Sequence, residues 1–115
     1  MSNLRIGSRL FALHDKSLKG MLTWMEKGTS AIMLFTSGLK AEEYATKVHG
    51  GRPLVVYPIE KSRMRSFVHS MMAARIEYAL IDVPPEHADI DGIHEDETVR
   101  NYAIVDLRSV VARMM

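Results

Sequence analysis

The sequence predicts one α+β domain over residues 1–115, with a mixed sheet of about six strands and two main helices. Three observations carry this prediction. The chain has 115 residues, of which 47% are hydrophobic, enough to bury one core without disulfides or a structural metal. Its N-terminal part alternates apolar and polar residues between short turns. From residue 29 onward, strand-like and helix-like periods follow each other as βαβαβ.

The first three strands are predicted as an antiparallel meander. Residues 5–13, 18–25 and 29–35 each have a strand-like pattern, and turn-forming residues separate them. Gly28 closes the second turn because glycine tolerates a positive φ. Turns this short join neighbouring strands, so successive strands are expected to pair antiparallel.

The next segment is predicted as a helix over residues 39–49. Apolar residues recur there at positions i, i+3, i+4 and i+7, and Ser37 is the expected N-cap. The residues with this spacing are Ala41, Tyr44, Ala45 and Val48.

Two further strands and a second helix complete the βαβαβ unit. Residues 53–57 and 78–83 have buried-type strand patterns, and the apolar spacing from Met64 to Met72 predicts a helix of about four turns between them. Crossover connections would make these two strands and the strand at 29–35 parallel to one another. A short strand at 102–105 and a terminal helix over 107–115 follow.

The parallel strands predict where a ligand binds. Ligands of open α/β sheets lie beyond the carboxyl ends of the strands. Ser37 and Gly38 also open a helix, whose N–H groups can hold a carboxylate or phosphate, although N-capping is the favoured explanation of Ser37. The predicted ligand-binding residues are Thr36, Ser37, Gly38, Ser62, Asp82 and His87.

Residues 84–99 are predicted as a long acidic loop. The segment from 83 to 99 holds six acidic residues and no lysine or arginine, and long loops are often functional. Oxygen and imidazole ligands at Asp89, Asp91 and His94 predict a divalent metal site. An EF-hand does not fit, because His87 and Thr98 would occupy ligand positions that require carboxylates. A solvated acidic loop is the favoured interpretation of this segment, and the metal site is the alternative.

Composition excludes several kinds of function. Without cysteine there is no disulfide, thiolate zinc site or cysteine nucleophile, and the composition suits a reducing cytoplasm. The longest apolar run, residues 31–35, is too short to span a membrane, and we expect no signal peptide. The motifs of acyl transfer, zincin chemistry and nucleotide hydrolysis do not occur.

Part of the chain resembles a known family. The segments Leu34–Ser37 and Ala41–Ala45, with the strands 53–57 and 78–83, resemble the SseB N-terminal domain family of small bacterial domains. The resemblance covers about half of the chain. It implies a mixed α+β domain with a non-enzymatic role, and it implies nothing about the acidic loop.

These observations favour a non-enzymatic, cytoplasmic bacterial domain that binds a protein or a small molecule without a cofactor. Trp24 and Met25, on opposite faces of a strand, leave apolar surface for a homodimer. The alternative is a small hydrolase-like or metal-dependent enzyme in which His87 acts as general base beside Asp82 or Asp89. Nucleic-acid binding through the basic second helix is a third hypothesis, against which the modest pI of 8.1 argues.

Overall fold

The secondary structure follows the predicted order with one additional strand, and the predicted terminal helix over 107–115 is reduced to a 3-10 turn and a short helix. The computed structural model describes residues 6–17, 19–26, 29–49, 51, 53–85 and 102–114. The strands are β1 (Arg9–Asp15), β2 (Gly20–Met21), β3 (Thr23–Glu26), β4 (Thr29–Phe35), β5 (Leu54–Glu60), β6 (Tyr78–Ile81) and β7 (Ala103–Asp106). The helices are α1 (Gly38–His49), α2 (Lys61–Ala73) and α3 (Val110–Arg113), the last preceded by a 3-10 turn over Leu107–Ser109.

The seven strands form one mixed sheet, which confirms the predicted fold class. From one side to the other, the long strands lie in the order β5, β1, β4, β6, β7. β1 is antiparallel to both β5 and β4, and β4 is parallel to β6. It follows that β4, β5 and β6 run in the same direction, as predicted. However, β5 is not adjacent to the other two, because β1 lies between β5 and β4.

The predicted meander differs from the structure at Leu22. The segment predicted as one strand over residues 18–25 is divided there into β2, which pairs with the end of β1, and β3, which pairs with the start of β4. The Leu22 N–H donates to the Leu13 carbonyl at 2.6 Å. Beyond this point β1 and β4 pair directly, with Ala12 opposite Leu34. Leu22 therefore occupies a junction of three strand pairs.

Helices cover both faces of the sheet and create two cores. Along β4, whose residues 30–35 are all buried, alternate side chains point to opposite faces. Ala31, Met33 and Phe35 pack with Ala41 and Tyr44 of α1. On the other face, the core includes Ile32, Leu34, Met64, Val68, Leu107 and Val110. The Cα radius of gyration of 13.0 Å is that of a single domain of about this length.

No helix among the described residues is long and apolar enough to cross a membrane.

Candidate functional site

The carboxyl ends of β4 and β6 meet as predicted and bring Thr36 and Asp82 into contact. The parallel register places Leu34 opposite Ile81. Beyond this pair, Thr36 lies two residues after Leu34 and Asp82 directly follows Ile81. The Thr36 N–H donates to Asp82 Oδ1 at 2.7 Å, and Thr36 Oγ1 donates to Asp82 Oδ2 at 2.6 Å. Lys40 Nζ lies 3.2 Å from the same Oδ2. Asp82 therefore links the end of β6 to the connection between β4 and α1.

The backbone of Asp82 has an unusual conformation. Its φ is 60°, in the left-handed region that aspartate enters more easily than most residues. Its carboxylate already accepts three hydrogen bonds and its side chain is 20% exposed. All of these contacts are made within the protein. The geometry therefore favours a structural role for Asp82, as a clamp that holds the end of β6 to the start of α1, over a role in binding a ligand.

Ser37 and Gly38 lie beside this clamp at the start of α1. Ser37 Oγ accepts the Lys40 N–H at 3.2 Å, and the Ser37 carbonyl accepts the Ala41 N–H at 3.2 Å. These are the bonds of an N-cap residue. A Cβ atom added to Gly38 would lie 3.8 Å from the Phe11 ring, an ordinary contact, so no close approach requires glycine there.

Ser62 is not part of this cluster. Ser62 follows β5, and β1 lies between β5 and β4. The end of β5 is therefore two strand spacings, about 10 Å, from the end of β4. The polar contact beside Ser62 is instead between Arg9 and Glu60, with Arg9 Nε donating to Glu60 Oε1 at 2.6 Å. The sequence analysis missed Arg9, Glu60 and Lys40, since their partners lie 42 to 51 residues away in the chain and no local pattern indicates them.

The remaining predicted site residues, His87, Asp89, Asp91 and His94, lie outside the described residues. The metal site therefore stays a prediction. Within the described ranges, no three His, Cys, Asp or Glu side chains come close enough together to hold a metal ion.

A second candidate site, which the sequence analysis did not identify, is the outer edge of β5. In the part of the chain that the structure describes, β5 pairs with β1 alone. The Lys61 N–H donates to the Ser8 carbonyl, the Lys16 N–H donates to the Pro53 carbonyl, and the register between these ends is unbroken.

This register determines which backbone groups of β5 are available. In an antiparallel pair, every second residue exchanges its N–H and C=O bonds with the partner strand. Residues 55, 57 and 59 therefore face β1, while the backbone groups of Leu54, Val56 and Pro58 point outward. Pro58 has no N–H, and an outward position on an edge strand is where proline is tolerated. The donors on this edge between 54 and 58 are thus Leu54 and Val56.

The side chains along β5 are apolar and partly exposed. Val55 is 41% and Tyr57 43% exposed, and residues 53–59 contain no charged side chain. Edge strands commonly carry charges that discourage pairing with other chains. In β5 such residues, Pro58 and the charged Glu60, lie only at the C-terminal end, so the edge stays open over Leu54–Val56.

Two shallow grooves flank the same edge, one on each face of the sheet. The groove on the α2 side, of about 420 Å³, is lined by Tyr57, Pro58, Ile59, Arg63, Ser66, Phe67 and Ser70. The groove on the α1 side, of about 450 Å³, is lined by Glu42, Ala45, Thr46, Leu54, Val55 and Val56. Since side chains of an extended peptide alternate between faces, such a peptide along β5 would direct them into both grooves.

The basic residues of α2 do not form one stripe. Arg63 lines the groove beside β5, whereas Arg65 lines a separate groove of about 480 Å³ between α2 and α3. In that second groove Arg108 is already paired, with Nη2 at 2.8 Å from Asp106 Oδ2. This arrangement lacks the continuous basic surface typical of nucleic-acid binding.

The Asp106–Arg108 pair predicts an acid-dependent loss of stability. The hydrogen bond from the Arg108 side chain holds the pKa of Asp106 below its ordinary value, against the opposing effect of burial. Because the folded-state pKa is lowered, ionised Asp106 stabilises the fold fully above the ordinary aspartate pKa. This contribution is lost as the pH falls through the folded-state pKa. Urea unfolding across the acidic range should therefore show a shallower pH dependence for Asp106→Asn than for the unmodified chain, and equal slopes would contradict this assignment.

No protein-family model matches this chain, and no curated protein sequence matches it significantly.

Proposed function

We propose that this chain is a non-enzymatic protein-interaction domain that binds an extended segment of its partner along the outer edge of β5. The observation that carries the proposal is the open backbone of Leu54 and Val56, in an uncharged stretch (residues 53–59) of an edge strand that, among the described residues, pairs with β1 on its inner side alone. Strand addition of this kind obtains affinity from main-chain hydrogen bonds.

The surroundings of β5 support specificity as well as affinity. Val55 and Tyr57 offer apolar contact area, and the two flanking grooves can accept alternate side chains of an added strand. Each groove also has one charged side chain beside its apolar residues, Arg63 in the groove on the α2 side and Glu42 in the groove on the α1 side.

The polar cluster at Asp82 supports the non-enzymatic part of the proposal. Its carboxylate is engaged by Thr36 and Lys40, so it is not free to act as a general base. The absence of cysteine from the sequence supports a cytoplasmic location, and the resemblance to a family of small bacterial domains supports a bacterial one.

Selection from a library of random nonapeptides tests the proposal. Peptides that bind should slow hydrogen exchange at the Leu54 and Val56 amides, because their N–H groups become bonded. Val55→Lys should weaken binding of these peptides by about tenfold or more, since a charge on the edge opposes strand addition.

Met72→Lys is the matched control. Met72 lies on α2 and is 41% exposed, the same fraction as Val55, so this variant makes the same change of charge away from β5. Binding should be unchanged in it. Binders that Val55→Lys does not affect would refute the proposed function, and so would a library that yields no binder for a chain that is itself monomeric.

A further inference from the structure

We infer that the segment that pairs with β5 is β5 of a second copy of this chain, in an antiparallel arrangement with a two-fold axis at Val55. The inference rests on the proposed function and names its partner. It comes from the two outward-facing residues that precede Pro58, Leu54 and Val56, whose N–H and C=O groups are both available on either side of Val55.

The pattern of open groups is self-complementary. In an antiparallel pair centred on Val55, Leu54 of one protomer lies opposite Val56 of the second copy, and the reverse holds across the axis. Each of these two pairs exchanges two hydrogen bonds. Four bonds form, and every open N–H and C=O of Leu54 and Val56 is used.

Pro58 agrees with this register. Its carbonyl is available but it has no N–H, so it ends the region in which both donors and acceptors are open. If the pairing were displaced so that Pro58 lay opposite Val56 of the second copy, the carbonyl of that Val56 would have no N–H donor. In the arrangement centred on Val55, Leu54 and Val56 make all of their hydrogen bonds.

The charge pattern also favours an identical partner. Residues 53–59 are uncharged, so the paired strand segments themselves bring no like charges together. On the axis, Val55 faces Val55 of the second copy in a non-hydrogen-bonded pair, where side chains lie closest together. Its 41% exposed side chain is then covered by an identical one, and the interface is isologous.

Sedimentation velocity over the micromolar range, with a charge-swap pair, tests the inference. The unmodified chain should reach the dimer mass. Val55→Lys and Val55→Glu should each raise the dimer dissociation constant by about tenfold or more, because like charges then meet on the axis. An equimolar mixture of the two variants should restore the dimer, and Met72→Lys should stay dimeric.

Hydrogen exchange on the unmodified chain provides a measurement that needs no variant. The amides of Leu54 and Val56 should exchange more slowly as the protein concentration rises. The Tyr57 amide, which faces β1, should not respond to concentration.

Three results would overturn the inference: a monomer at every concentration, a dimer that persists in Val55→Lys, or a mixture of the two variants that stays monomeric. If the unmodified chain is monomeric but library peptides still bind in a Val55-dependent way, the second copy is the wrong partner and the proposed function stands. If neither a dimer nor such peptides are found, both proposals fail.

Discussion

Phe35→Ala is expected to destabilise the fold by about 3–5 kcal/mol, the usual cost of truncating a buried phenylalanine. Phe35 is fully buried at the end of β4, and its ring centroid lies 5.6 Å from that of Tyr44 at a tilt of 47°. The variant removes this aromatic contact and leaves a cavity between the sheet and α1. Neighbouring side chains fill such a cavity only partly.

Urea unfolding followed by fluorescence of the single tryptophan, Trp24, measures this effect. Phe35→Leu keeps most of the volume and should lose less stability, which keeps the comparison measurable if the alanine variant is largely unfolded. Leu39→Ala is the control because Leu39 is 80% exposed, and its effect should stay within about 0.5 kcal/mol. A similar loss for Phe35→Ala and Leu39→Ala would contradict the assigned packing.

Asp82→Ala is expected to cost about 2–3 kcal/mol, because it removes the charged acceptor of two Thr36 hydrogen bonds and leaves alanine with a left-handed backbone. Asp82→Asn should cost less, since asparagine tolerates that backbone and keeps an acceptor. Lys40→Met should have little effect, because the Lys40 side chain is 58% exposed and exposed ion pairs contribute little.

The sign of the Asp82 effect separates two roles. A clamp residue loses stability on replacement, as expected here. Where a residue has a strained backbone that serves ligand binding, its replacement often makes the protein more stable. If chemical unfolding shows Asp82→Ala to be more stable than the unmodified chain, the ligand site predicted at this edge regains support and the clamp assignment is wrong.

Much of the fold could be predicted from the sequence because most of it depends on local periodicity. The strand at 29–35 has its predicted limits, and the first helix begins one residue before its predicted start. β5 continues through Pro58 to Glu60, beyond its predicted end at residue 57, because the missing N–H of Pro58 faces outward. The division at Leu22 and the place of β1 between β4 and β5 depend on pairings between distant residues, which no local pattern encodes.

The candidate sites, too, could be predicted only as far as they do not depend on the order of the strands in the sheet. The contact between Thr36 and Asp82 follows from one general rule, that parallel strands end at the same edge. The rule also included Ser62, which the structure separates from that contact because β1 lies between β5 and β4. The open edge of β5 was missed since its run of apolar residues is typical of a strand covered on both sides, and only the strand order shows that one side is open.

The position of β1 has a consequence for synthesis on the ribosome. β1 is the first strand to emerge, yet both of its long neighbours are translated later, and its pairing with β5 joins residues as far as 51 positions apart. Contacts this distant in the chain form slowly. The nascent polypeptide therefore leaves the backbone N–H and C=O groups on one side of β1 unpaired until β5 has left the exit tunnel, and chaperone binding is most useful in that interval.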